Sequence, residues 1–346
     1  MRKVNLRRQS NIELLRIIAM LMILGLHVNF FALGTPDIGE ISNMPMQSFM
    51  RILCENFCIV GVNVFVLISG WFGINYKLKG LCSFLFQSLF FSLAIFVPFC
   101  LFDKIEASRI NIMSAFLMYK NAYWFVWAYF ILYIISPILN TFIENTDKAT
   151  IRRVIILFFT TQTVLFVFTS VGFYKAGYSP LSFIGLYLLA RYFKLYRNNN
   201  GKYKYLGVYL VCVLFNTLIC FVPSYFVYDN GTILTIVNSY TNPLNIIGAL
   251  YILLFFTKIN FYSGSVNWFA TSCFAVYLVH FHFCLIRYYV NYAKDIFNNF
   301  SGITYFAIII AFISGVFIIS VLIDKVRIPL FNYIWNKFDK LRETHQ

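Results

Sequence analysis

Arg16 and His27 stand eleven residues apart in the first apolar segment, NIELLRIIAMLMILGLHVNFF. Ionisable groups inside a membrane-spanning helix carry a large desolvation cost and mark functional sites. At roughly 100° per residue the spacing is about three turns plus 20°, so both side chains leave one helix face, about 16 Å apart along the axis. An arginine there can hold an anionic group through charge-assisted hydrogen bonds. An imidazole further along can take a proton from a hydroxyl, because its ordinary pKa lies close to neutral pH. Glu13 lies three residues before Arg16, within reach for an ion pair that lowers the cost of the buried cation. Two further histidines fall in FAVYLVHFHF. If that segment is one helix over 267–290, Tyr277, His280 and Arg287 share a face, and His282 faces away. A buried histidine serves equally well as an interhelical hydrogen-bonding residue, and His282 reads that way.

The elements that hold these residues are membrane helices. The chain has 346 residues, 60% hydrophobic and 12% charged, with 41 Phe and 24 Tyr; soluble domains carry about 25% charged residues. Apolar runs predict an all-α polytopic protein with about ten spanning helices, near 12–33, 57–74, 81–101, 123–143, 153–173, 180–196, 204–226, 243–259, 267–290 and 302–323. A retained first helix follows the basic residues Arg2, Lys3, Arg7 and Arg8, with no cleavage signature. With the N-terminus inside, 20 of the 28 Lys and Arg fall on inner segments and six on outer ones, so the positive-inside rule puts both termini in the cytoplasm. The net charge of +15 is then a topology signal and an attraction to anionic lipid, not a nucleic-acid footprint. His27 and His280 are thereby expected at similar depth in outward-running helices. We divide the chain into a basic N-terminus (1–11), a membrane domain (12–325) and a cytoplasmic amphipathic tail (326–346). In the tail Leu330, Phe331, Ile334, Trp335, Phe338 and Leu341 recur at helical spacing, as in a helix lying on the inner leaflet. The eight cysteines are scattered through apolar segments as packing residues, and the four histidines, His345 among them, form no clustered metal-ligand set.

Three blocks add to the Arg–ten residues–His spacing: VNVFVLISGWF, with Phe65, Ser69 and Gly70; YWFVWAYFILYIISPIL, with Trp124 and Trp127; and AVYLVHFHF, with Tyr277, Leu278 and His280. Taken singly, the Ser-Gly pair fits close helix packing and the tryptophans fit an interfacial belt. In this order over the whole membrane domain they resemble the acyltransferase-3 family of integral membrane O-acyltransferases, from about Asn11 to Asp324. The resemblance implies an acyl-CoA donor, normally acetyl-CoA, used as substrate with no bound cofactor. It implies as acceptor a hydroxyl of a cell-surface polysaccharide or lipid-linked sugar, at the plasma (inner) membrane. It places His27 as general base in a catalytic set with Glu13 and His280. Arg16, Lys77, Lys79, Ser69, Trp124 and Tyr277 become substrate-binding. Many members carry Arg-x-x-Arg after the second helix, where this chain has INYKLKGL; Lys77 and Lys79 are the cations present, without arginine's planar fork. A polytopic transporter or flippase for a lipid-linked sugar or small anion is the competing class, though the internal repeats frequent in transporters are absent from the sequence.

Overall fold

The computed structural model describes residues 8–119, 123–168, 175–197, 201–226 and 231–343. The basic residues Arg2, Lys3 and Arg7 and the tail residue His345 lie outside that set. Every regular element among the described residues is helical: α1 (Ser10–Val28), α2 (Phe30–Leu33), α3 (Ile38–Asn43), α4 (Pro45–Cys58), α5 (Gly61–Phe72), α6 (Leu78–Leu101), α7 (Arg109–Ala115), α8 (Trp124–Glu144) and α9 (Lys148–Phe168). They are followed by α10 (Pro180–Tyr196), α11 (Lys202–Phe226), α12 (Gly231–Val237), α13 (Pro243–Phe256), α14 (Gly264–Ala270), α15 (Cys273–His280), α16 (Ile286–Asn299) and α17 (Gly302–Glu343).

Seven helical segments among the described residues are long and apolar enough to cross a bilayer: Ser10–Leu33, Pro45–Phe72, Leu78–Leu101, Trp124–Glu144, Lys148–Phe168, Tyr203–Phe226 and Gly302–Leu341. The expected sixth and eighth spans appear as α10 and α13, of 17 and 14 residues, shorter than the roughly 20 residues that cover a hydrocarbon core. The second span begins earlier than the apolar run indicated. α4 carries Arg51 inside a helix, where the sequence placed it in an outer loop, because Arg51 finds Glu40 at 2.9 Å. The expected ninth helix is broken into α14, α15 and α16. The last helix runs on past Ile323 through Pro329 to Glu343 as one element.

The chain divides into two compact units: Met1–Ile74 with Ile135–Thr271, and Asn75–Ile134 with Ser272–Gln346. In the first, α5 packs against α1, α10 and α13, and α11 against α13 and α4. Gly70 makes the α5–α10 contact possible. A Cβ there would stand 2.6 Å from the Tyr187 carbonyl oxygen and 2.9 Å from the Ala190 Cβ, so the Ser-Gly pair is the close-packing element its residue types indicated. Polar side chains tie the ends of these helices. Asn11 Nδ2 donates to the Phe256 carbonyl at 2.8 Å, and Asn63 Nδ2 to the Tyr240 carbonyl at 3.0 Å. In the second unit α6 and α17 both pack on α15. There Gln87 Nε2 and Arg327 Nε donate to Asp324 Oδ1, at 3.0 and 2.9 Å, in a buried cluster.

Candidate functional site

In the first unit α1 is unbroken from Ser10 to Val28, so the rotation that puts Arg16 and His27 on one face holds. Ile12, Leu15, Ala19 and Leu26 on the same helix are buried, and α1 packs on α5. Glu13 accepts from Arg16 at 2.6 Å, with the glutamate side chain 10% and the arginine side chain 27% exposed. The carboxylate therefore orients a guanidinium that still presents other N–H groups outward. His27 sits in the last turn of α1, half-buried, with the Phe31 ring edge-on at 5.1 Å. Ser69 Oγ donates to the Phe65 carbonyl one turn back, at 3.3 Å. That bond is the local back-bonding common for serine in apolar helices.

In the second unit His280 closes α15 and is 2% exposed. Its Nδ1 lies 2.6 Å from the Val276 carbonyl; a carbonyl only accepts, so Nδ1 carries the proton and Nε2 of the neutral ring carries the lone pair. His282 is fully buried. Its Nδ1 accepts from the Cys284 backbone N–H and its Nε2–H donates to the Ser92 carbonyl, both at 3.1 Å. This bridging ring fastens the second of the two breaks in the expected ninth helix: the backbone leaves α15 at Phe281, and the imidazole holds the Cys284 N–H in the turn that follows. Arg287 consequently starts a different helix, and it does not extend the Tyr277–His280 face. The Tyr277 ring meets those of Phe281 at 5.6 Å and His280 at 6.2 Å. Trp124 opens α8 with its ring against Phe125 at 5.8 Å. Lys77 is exposed just before α6, and the Lys79 ammonium stands 5.9 Å from the Trp335 ring centroid. His27 and His280 thus belong to different units.

A family model described as an acyltransferase domain matches residues 9–325. The chain belongs to the acyltransferase-3 family. No curated protein and no solved structure matches it. It is accordingly a multi-pass membrane acyltransferase, and the matched span covers α1 to the first half of α17.

Two features of this acyltransferase escaped the sequence reading. Glu55 in α4 is buried, and its Oε2 accepts from Asn29 Nδ2 at 2.9 Å and from the Phe30 N–H at 3.4 Å, just beyond His27 on the chain. The signal was present, since a carboxylate within an apolar span marks a site; starting the second helix at residue 57 left Glu55 outside it. Tyr123 is the other. Its hydroxyl donates to the Leu278 carbonyl, and its ring meets Tyr277 at 5.7 Å and His282 at 6.0 Å. Nothing in the local sequence distinguishes that tyrosine from the 23 others.

Proposed function

We propose that this acyltransferase moves an acetyl group from acetyl-CoA to a hydroxyl of a cell-surface polysaccharide or lipid-linked sugar, at the plasma membrane and with both termini in the cytoplasm. The observation that carries this reading is the unbroken α1, which presents a carboxylate-oriented arginine and an imidazole on one face. The His27 imidazole takes the proton of the acceptor hydroxyl as its oxygen adds to the thioester carbonyl. The tetrahedral intermediate then expels the thiolate of CoA, which receives that proton from the imidazolium. General-base assistance of this kind contributes about 10²–10⁴-fold.

Arg16, steadied by Glu13, binds donor phosphate as a planar fork. Lys77 and Lys79 are further candidates for donor binding, as point charges. His280 is the further candidate for proton transfer, and Ser69, Trp124 and Tyr277 are candidates for substrate binding. Membranes containing the protein, incubated with labelled acetyl-CoA and cell-surface glycan, test the reading. Label should appear in the glycan and vanish with His27→Ala. Full transfer by that variant removes His27 as the base, and no transfer by the wild-type protein removes the glycan as acceptor.

A further inference from the structure

Arg191, Lys194 and Arg197 lie within seven residues at the end of α10. In the sequence they count toward the inner positive charge and nothing more. In the structure they converge. The Lys194 ammonium is 4.7 Å and the Arg197 guanidinium 4.8 Å from the centroid of the same indole, Trp71, in the last turn of α5. The Arg191 guanidinium lies against Gly73, where a Cβ would come within 3.0 Å of its Nη1. Gly73 ends α5 with φ +76°, a conformation that favours glycine. The next residue, Ile74, is pinned on both sides. Its N–H donates to the Tyr187 hydroxyl at 2.9 Å and its carbonyl accepts from Asn140 Nδ2 at 2.9 Å, while the Tyr187 hydroxyl donates to Asn140 Oδ1 at 2.7 Å.

Packing on a ring and a turn holds these cations, and none of the three forms an ion pair among the described residues. The ion pairs among the described residues are Glu13–Arg16, Glu40–Arg51 and Asp324–Arg327. Arg197 Nη1 donates to a neutral acceptor, Thr257 Oγ1, at 2.6 Å. Arg191 Nε is buried with no hydrogen-bond partner among the described residues. The charges acting on Lys194 are Arg197 and Arg191, and both repel it. The positive-inside rule accounts for basic residues at this end of a helix, but it gives no reason for two of them to crowd one indole with a third on the adjoining turn. A bound polyanion does. The cluster also stands at the same end of its unit as the Glu13–Arg16 pair, because Arg197 reaches Thr257 while Asn11 of α1 holds the adjacent Phe256 carbonyl.

We propose that Arg191, Lys194 and Arg197, gathered on Trp71 and the Gly73 turn that follows it, form a binding site for a phosphate-dense anion, and that the anion is the phosphorylated portion of the acyl donor. The second half rests on the acyltransferase reading above. Arginine supplies forked donors and lysine a point charge, a combination suited to adjacent phosphates.

The test is CoA binding by the purified full chain in uncharged detergent, followed by calorimetry, for wild type and for Arg191→Gln, Lys194→Gln and Lys194→Arg. Each Gln variant should weaken CoA binding about tenfold. Lys194→Arg should restore most of the affinity, and binding of acetyl-pantetheine, which lacks the phosphates, should not change. Lys194 is exposed, so its Gln variant should keep the wild-type melting temperature. Unchanged CoA binding in both Gln variants overturns the site. A parallel arm uses nanodiscs of zwitterionic or anionic lipid: variants that lose stabilisation by anionic lipid yet bind CoA normally identify a lipid-headgroup site and overturn the donor assignment. CoA binding that depends on the cluster, in a protein that transfers no acetyl group to glycan, supports the site and rejects the acceptor.

Discussion

His27 and His282 are both imidazoles set in apolar helical segments, and the structure treats them in opposite ways. His282 is fully buried, with one ring nitrogen accepting from a backbone N–H and the other donating to a carbonyl. Its two nitrogens are both spent on the backbone, a single neutral tautomer is fixed, and the ring acts as a splint between α6 and the turn after α15. His27 is half-buried at the end of a straight helix whose face it shares with an ion-paired arginine. His280 is intermediate, with Nδ1 committed to a carbonyl and the lone pair on Nε2. Residue type and depth in an apolar run do not separate a structural histidine from a chemical one. For His282 the backbone bonds at both ring nitrogens mark the structural role.

The comparison breaks most visibly at His27. His27→Ala should lower acyl transfer by about 10²–10⁴-fold while CoA affinity, read by calorimetry, stays within about twofold. A smaller loss than tenfold would make His27 as structural as His282. The reverse pattern is expected for His282→Ala. Removing the ring strands the Cys284 N–H in the interior, at about 1–3 kcal/mol, while the Ser92 carbonyl keeps its helical bond within α6. The melting temperature in detergent should fall, while transfer per folded molecule is largely retained; loss of transfer at an unchanged melting temperature would contradict the splint role.

Smaller effects sharpen the same division between packing and chemistry. Gly70→Ala drives a methyl group into the Tyr187 carbonyl. Overpacking of that kind destabilises by about 1–3 kcal/mol, and since α5 and α10 carry Trp71 and the basic cluster, donor KM should rise with it. A variant with normal melting temperature and KM would show that α5 and α10 do not depend on this contact. The weakest effect belongs to Lys77→Ala with Lys79→Ala. Lys77 is exposed and the Lys79 ammonium already sits over Trp335, so donor KM should rise no more than about threefold, as expected for exposed point charges. A larger rise would put these lysines above Arg191 and Lys194 in donor binding.

Much of this was legible in the residues. The apolar runs and their helical character, the Glu13–Arg16 pair, the shared face of Arg16 and His27, the packing role of Gly70 and the structural role of His282 all follow from local rules of spacing, polarity and size. The family does too, because its blocks are contiguous. Less legible were the break at Phe281, the helical start at Pro45 and the convergence on Trp71. A run such as FAVYLVHFHF is apolar apart from Tyr277 and its two histidines, and hydropathy carries no record of a ring nitrogen that will hold the Cys284 N–H. Glu55 fell outside the second helix for a related reason: the charged residues of α4 are matched by partners in other segments, Arg51 by Glu40 and Glu55 by Asn29.

By itself the sequence determined a helical membrane protein of the acyltransferase-3 family with Arg16 and His27 on one helix face, since hydrophobic length and the 3.6-residue period are properties of single segments. Only the tertiary structure decided that Lys194 and Arg197 meet on one indole of α5 with Arg191 on the turn beside it, and that two neighbouring histidines divide into a splint and a ring whose Nδ1 is held by a carbonyl. Those outcomes depend on which helix packs against which, and that depends on close approaches such as Gly70 on Tyr187, made between residues far apart in the chain.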